Sequence, residues 1–259
     1  MRTTFYKYQG TGNDFVVIDD RQLQFPQNDA KLVAFLCDRR FGIGADGLIL
    51  LQHHEDVDFQ MVYFNADGKQ SSMCGNGGRC IVAFARDLGL IEKAAVFMAI
   101  DGIHHASIEA DVVTLGMSDV SEVETFDDHV FLDTGSPHHI EFEEQLDTLD
   151  IKSKGAAIRY GAPYFDKGSN VNFVKQQDES TFAVRTYERG VEDETLSCGT
   201  GVTAVAIAMR HINKTPSNEV KVQTRGGELQ VTFQANGDGY SKVSLIGPAK
   251  QVFKGEVTW

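Results

Sequence analysis

Positive charge is scarce in this chain: 24 Lys and Arg stand against 37 Asp and Glu among 259 residues, a net charge of −13. A phosphate-binding surface needs clustered Lys and Arg to displace counterions, so the balance argues against nucleic acid and against anionic membrane surfaces. It leaves a small zwitterionic substrate open. Cysteine is also sparse. Four residues (Cys37, Cys74, Cys80, Cys198) are too few for a disulfide scaffold in a chain of this length. No apolar run approaches the ~18 residues of a membrane-spanning helix, and "GVTAVAIAM" at 201–209 reads as a buried helix. The opening "MRTTFYKYQG" lacks an apolar core of signal-peptide length. A reduced, cytoplasmic location is the resulting expectation. No lysine sits in a Schiff-base motif, so no pyridoxal cofactor is expected. Cys74 and Cys80 lack zinc-ligand spacing and no matching pair lies near Cys198, so no metal is expected either.

What is present is repetition. "YQGTGNDFVV" (8–17) resembles "LDTGSPHHIEF" (132–142), pairing Gly10-Thr11-Gly12-Asn13 with Gly135-Ser136-Pro137-His138. "DFQMVYFNADG" (58–68) resembles "TFAVRTYERG" (181–190), both alternating as strands do and both ending at Gly. "SMCGNGGR" (72–79) resembles "SCGTGVTA" (197–204), and each opens a helical stretch. The spacings agree: 102 − 74 = 28 from Cys74 to Gly102, and 226 − 198 = 28 from Cys198 to Gly226. Blocks in one order at constant offsets indicate two copies of one α+β unit. The expected halves are 1–118, carrying Cys74, and 119–259, carrying Cys198. The final ten or so residues could complete either half.

If the two halves face each other, their Cys-Gly-x-Gly boxes line one cleft. A helix N-terminus offers unpaired N–H groups and a positive partial charge. Such an end binds a carboxylate and lowers a nearby thiol's pKa, while glycines allow close approach. Two of them would hold one carboxylate with a sulfur on each side of its α-carbon. That is the arrangement a two-base racemase needs.

The motifs "GTGNDF", "FNADG…MCGNGGRC", "GSPHH", "GSNVNF" and "YERGVEDETLSCGTG" together resemble those of diaminopimelate epimerases, over nearly the whole chain. The resemblance implies an α+β fold of two pseudo-symmetric domains, each a curved sheet or incomplete barrel around a central helix. It implies cofactor-independent conversion of LL- to meso-diaminopimelate, on the path to lysine and peptidoglycan, and a homodimer. By position, Cys74 and Cys198 would be the catalytic pair, Cys74 donating to the LL substrate and Cys198 accepting from it. His138 and Glu188 would adjust their ionisation. The backbone at Gly75-Asn76 and Gly199-Thr200 would hold the reacting carboxylate. Asn13, Asn65, Ser136, Asn170, Glu188 and Arg189 would hold the rest. Chemistry supports that last group: Arg grips a carboxylate bidentately, Glu accepts from an ammonium, and Asn does either.

Two positions depart from the family pattern, where some members have Asn before Pro-His and Gln after "GIGxD". Here they are Ser136 and Gly47, which puts distal contacts in question. "GIGADG" (42–47) matches a dinucleotide fingerprint only formally. A helical pattern precedes it and a strand follows, so it reads as a helix-to-strand connection. Cys37 and Cys80 read as small core residues, and most histidines other than His138 as ordinary surface or strand residues. A proline or hydroxyproline racemase, a related isomerase without thiol catalysis, and a thiol redox or binding module are the alternatives.

Overall fold

The computed structural model describes residues 2–71, 73–237 and 239–259. The chain divides into two units, one of residues up to Leu115 together with Gly247–Trp259, the other Gly116–Ile246.

The first unit begins with β1 (Arg2–Gly10) and β2 (Asn13–Asp19), followed by α1 (Ala30–Cys37), β3 (Gly47–Gln52) and β4 (Phe59–Asn65). Then come α2 (Gly75–Asp87), β5 (Ala94–Ala99), β6 (Gly102–Glu109) and β7 (Val112–Gly116). β1 and β2 form a hairpin closed by Thr11 and Gly12, both at positive φ, the two-residue turn whose twist suits flanking strands. β2 runs parallel to β3, β3 antiparallel to β4, and β4 parallel to β5, each parallel step crossing over through a helix. β5, β6 and β7 follow antiparallel. All of β3, "GLILLQ", is buried. Leu48 and Leu50 join the cluster around α1, while Ile49 faces Gly77 of α2. Helices on both faces explain an unbroken apolar strand.

The second unit repeats this order. β8 (Glu124–Thr125), β9 (Val130–Asp133) and β10 (Pro137–Phe142) precede α3 (Ile151–Tyr160), β11 (Asn170–Gln176), β12 (Thr181–Glu188) and β13 (Asp193–Thr195). α4 (Gly199–His211), β14 (Glu219–Thr224), β15 (Gly227–Asn236) and β16 (Gly239–Pro248) follow. From β9 through β16, omitting the short β13, the pairings are antiparallel, parallel, antiparallel, parallel, antiparallel, antiparallel. That is the succession from β1 to β7. In each unit the sheet curves around one helix: α2 packs on β1, β2, β3, β4 and β6, and α4 on β9, β10, β11, β12, β14 and β15. Both helices are buried over most of their length, as central helices enclosed by a sheet must be.

The last strand, β17 (Lys250–Thr258), pairs antiparallel with β1 from Arg2↔Thr258 to Gln9↔Lys250, so the C-terminal segment completes the first unit.

Register corrects one detail of the repeat. Phe15 pairs with Gly47, and His138 pairs with Asn170. Asn13 therefore corresponds to Ser136, not to His138. The β9–β10 loop is one residue longer than the β1–β2 turn, with Pro137↔Asp133 closing three residues. Matching the glycines of the two turns hid that shift.

Candidate active site

The outer helices carry conventional caps: Asp29 accepts from the Leu32 N–H and Asp150 from the Ser153 N–H. The two central helices do not. Their N-cap residues are Cys74 and Cys198, both with extended backbone and neither making a side-chain cap hydrogen bond. A Ser or Asp there would typically add about 1 kcal/mol. Forgoing that at the same place in both copies marks these helix ends as reserved for something else.

In the first unit, Cys74 is half-buried and its thiol donates to Asn13 Oδ1 at 3.7 Å. The same oxygen accepts from Asn76 Nδ2 at 3.2 Å, while Asn13 Nδ2 donates to Asp46 Oδ2 at 2.6 Å. These contacts fix the Asn13 amide with its oxygen toward the thiol. Arg39 bridges Asp14 and Asp46 behind it.

In the second unit, Cys198 is buried, with Sγ 3.5 Å from Thr200 Oγ1. Thr200 Oγ1 lies 3.0 Å from His138 Nε2. Asn172 Nδ2 donates to His138 Nδ1 at 3.1 Å and to the His139 carbonyl at 3.1 Å, and Asn172 Oδ1 accepts from Thr186 Oγ1 at 3.0 Å. Both ends of the amide are thus spoken for. His138 Nδ1 must accept, so neutral His138 carries its proton on Nε2 and gives it to Thr200 Oγ1. The threonine hydroxyl keeps its own proton, which it can give to a thiolate at Cys198, and it can accept from the thiol in the protonated state. Burial, with Arg189 adding to it, pulls the His138 pKa down to about 3, which keeps the ring neutral.

The expected distal residues of this unit also come together. Asn170 Nδ2 donates to Ser136 Oγ at 2.9 Å, and Asn170 Oδ1 accepts from the Arg189 N–H at 2.9 Å. The Arg189 guanidinium reaches Ser136 Oγ at 3.5 Å and the Lys167 carbonyl at 2.9 Å. Glu188 Oε2 accepts from Thr195 Oγ1. In the first unit, Asn65 is exposed at the end of β4, opposite Gly47. A Cβ on Gly47 would fall 2.6 Å from the Tyr63 ring and 2.6 Å from the Phe64 carbonyl. Tyr63 fills the place a side chain at 47 would need.

The other expectations resolve simply. Cys37 and Cys80 are buried, and burial pushes both thiols up to about 12. "GIGADG" connects α1 to β3. His139 is a strand residue but a buried one, bonded to the Tyr164 hydroxyl at 2.9 Å. The reading of the residues missed Asn172, although it lies two positions from Asn170 and so on the same face of β11, a period-2 signal inside "GSNVNF". It also missed Arg79, one turn past Gly75-Asn76 on α2. Among the described residues, no group of three or more His, Cys, Asp and Glu is placed to hold a metal, and no helix is long and apolar enough to cross a membrane.

The repeated α+β unit, each copy a sheet around one central helix, is a fold this chain shares with solved structures of several names. A solved PhzF-family phenazine biosynthesis protein from Bacillus anthracis superposes with TM-score 0.81 at 14% identity, over 100% of both chains. A hydroxyproline epimerase from Agrobacterium vitis gives 0.73 at 15%, over 99% of this chain and 92% of that one. Sequence is more specific. The family model for diaminopimelate epimerase matches residues 5–121 and 130–252. The diaminopimelate epimerase of Flavobacterium psychrophilum is 55% identical over 250 residues, covering 96% of this chain and 98% of its own. That of Chlorobaculum tepidum is 42% identical, over 96% and 99%. The chain belongs to the diaminopimelate epimerase family and is an isomerase of the amino-acid epimerase class.

Proposed function

We propose that this enzyme interconverts LL- and meso-2,6-diaminopimelate without a cofactor, using Cys74 and Cys198 as a matched acid and base, in lysine and peptidoglycan precursor synthesis. The observation that carries the reading is the pair of cysteines occupying the N-cap of the central helix in both copies of the unit. In the LL direction the Cys198 thiolate removes the α-proton, leaving a carbanion delocalised into the carboxylate. The Cys74 thiol then delivers a proton to the opposite face, and the two sulfurs exchange protonation states. Both thiols must reach one α-carbon for this to work.

An α-proton beside a carboxylate is very weakly acidic, so the developing charge needs fixed dipoles in a site emptied of water. The N–H groups at Gly75-Asn76 and Gly199-Thr200 supply them in this reading, as ends of helices without side-chain caps. Ser136, Asn170 and Arg189, already hydrogen-bonded to one another, suit the distal carboxylate. Asn13 and Asn65 complete the polar contacts, and Glu188 accepts from the distal ammonium or tunes a thiol. A site built for these partners rejects substrates that lack them.

A reducing cytoplasm fits four cysteines that are all unbridged. A homodimer is part of the proposal, and sedimentation equilibrium tests it. Chiral chromatography after incubation with LL-diaminopimelate, L-proline or trans-4-hydroxy-L-proline tests the substrate. Conversion of the first alone is expected, and conversion of either imino acid instead would overturn the assignment.

A further inference from the structure

Arg79 is completely buried one turn into α2, and among the described residues it makes no ion pair. Its guanidinium donates from Nη1 to the Gly75 carbonyl at 3.3 Å, and from Nη2 to Asn76 Oδ1 at 2.9 Å and Thr11 Oγ1 at 3.2 Å. All of those acceptors are neutral, and Nε has no partner. Gly10 makes the approach possible, since a Cβ there would lie 3.2 Å from Nη2. A buried cation without an anion is costly, and proteins ordinarily pair it. Burial lowers its pKa to about 10, still above neutrality, so the group stays charged.

A bland reading makes Arg79 a clamp on the first helical turn. The repeat argues against that as the whole explanation. Five residues after its cysteine (74 + 5 = 79, 198 + 5 = 203), the second unit has Thr203, whose hydroxyl donates to the Gly199 carbonyl at 3.0 Å. A neutral side chain thus makes the corresponding bond in the other copy. The charge in the first copy is additional, and it sits at the helix end that carries Cys74.

The surrounding titratable groups leave it unspent. Cys80 on α2 has its thiol pushed up to about 12 by burial. The acid on β2, Asp14, is engaged by Lys7 at 2.5 Å and Arg39 at 2.6 Å. Tyr8 on β1 donates to Asp87, at the far end of α2. β3 offers no titratable side chain, and nothing on β4, β6 or β17 is hydrogen-bonded or ion-paired to Arg79. Cys74 remains: its thiol and Asn76 Nδ2 both donate to Asn13 Oδ1, and Asn76 Oδ1 accepts from Arg79.

We propose that Arg79 is a positioning residue whose unpaired charge favours the Cys74 thiolate and draws the reacting carboxylate onto Gly75-Asn76. The carboxylate role rests on the epimerase reading above; the thiolate role does not. In consequence the two thiols are unlike: Cys74 is set by a cation, and Cys198 by a neutral imidazole acting through a hydroxyl.

The test follows iodoacetamide alkylation of Cys74 against pH by site-resolved mass spectrometry, in the full chain and in Arg79→Met, Arg79→Gln and Arg79→Lys. Both neutral variants should raise the alkylation midpoint by about one pH unit or more, the scale of a close opposite charge. Arg79→Lys should keep the midpoint near that of the parent. Arg79→Gln retains hydrogen-bond donors, so it carries the comparison if Arg79→Met does not fold. An unchanged midpoint in a folded neutral variant would overturn the proposal, as would an equal rise in Arg79→Lys. Turnover of diaminopimelate, assayed separately on the parent chain, reports on the epimerase reading without touching this result.

Discussion

The Asn172 amide holds His138 in a single tautomer: Nδ2 donates to the ring's Nδ1 at 3.1 Å, while Thr186 pins the amide's oxygen at 3.0 Å. The proton this leaves on Nε2 faces Thr200, and Thr200 faces Cys198. A line of four buried or half-buried polar side chains thus ends at one of the two candidate catalytic sulfurs. Such a line has consequences that kinetics can read.

Asn172→Asp replaces a donor with an acceptor at Nδ1. The ring should then hold a proton on Nδ1 and become easier to charge. A wrong tautomer alone can cost up to ~10⁴-fold in a hydrolase triad. Here, where imidazole acts through a hydroxyl, kcat should fall by about ten- to a hundredfold. Nitrogen-15 NMR of His138 should show the tautomer change in the same sample. An Asn172→Asp enzyme with parental kcat would remove His138 from the mechanism.

Neutral buried histidines make stability depend on pH with a definite sign. Burial pulls His138 down to about 3 and His139 to about 4, the second helped by neighbouring His129. The unfolded chain takes up these protons near pH 6.5 and the folded protein does not. Their contribution is therefore complete above about 6.5 and fades as pH falls toward 4 and then 3. Each pH unit in that window should cost about 1.4 kcal/mol per histidine. Urea unfolding at pH 7 and pH 5 should show the loss, and His138→Gln should reduce its slope. A flat profile from pH 7 to 5 would contradict it.

Gly77 and Gly201 hold the same place in the two boxes but meet different neighbours. A Cβ on Gly201 would sit 2.6 Å from Asn172 Oδ1 and 3.3 Å from His138 Cε1. On Gly77 the nearest atoms are Ile49 Cδ1 at 3.2 Å and Met61 Cε at 3.3 Å, both ends of flexible chains. Gly201→Ala should destabilise by about 1–3 kcal/mol through overpacking and should reduce kcat by displacing Asn172. Gly77→Ala should be near neutral, its small clash offset by the ~1 kcal/mol helix preference of Ala over Gly. Denaturant midpoints of the two variants compare them directly, and equal losses would contradict the account.

Serine has nearly the volume of cysteine but is a far weaker acid. Cys74→Ser and Cys198→Ser should each leave the fold intact and lower epimerisation by about 10²–10⁴-fold, the usual worth of a positioned acid or base. Full activity in either would remove the two-thiol mechanism.

Much of this was readable before any coordinates. The duplicated boxes are visible because glycines and a long apolar run must flank a helix start buried in a sheet. Gly47 stood out as an absence, but only the structure shows the Tyr63 ring filling its place. The Asn13–Ser136 correspondence was hidden by a one-residue difference in turn length, which pattern matching absorbs and strand register does not. Asn172 was passed over because a polar residue in an apolar strand has no partner until β10 and β12 flank it. Arg79 carries no sequence signal that separates it from an ordinary helix cation, and burial alone does so. The return of β17 to β1 is a long-range pairing that no local pattern encodes.

The most direct measurement incubates the reduced protein with LL-diaminopimelate in deuterated water, without added cofactor, and follows stereochemistry and deuterium at the α-carbon together. The account predicts meso product with deuterium at the inverted centre. Inversion with the original hydrogen retained there, or no exchange at all, would contradict it.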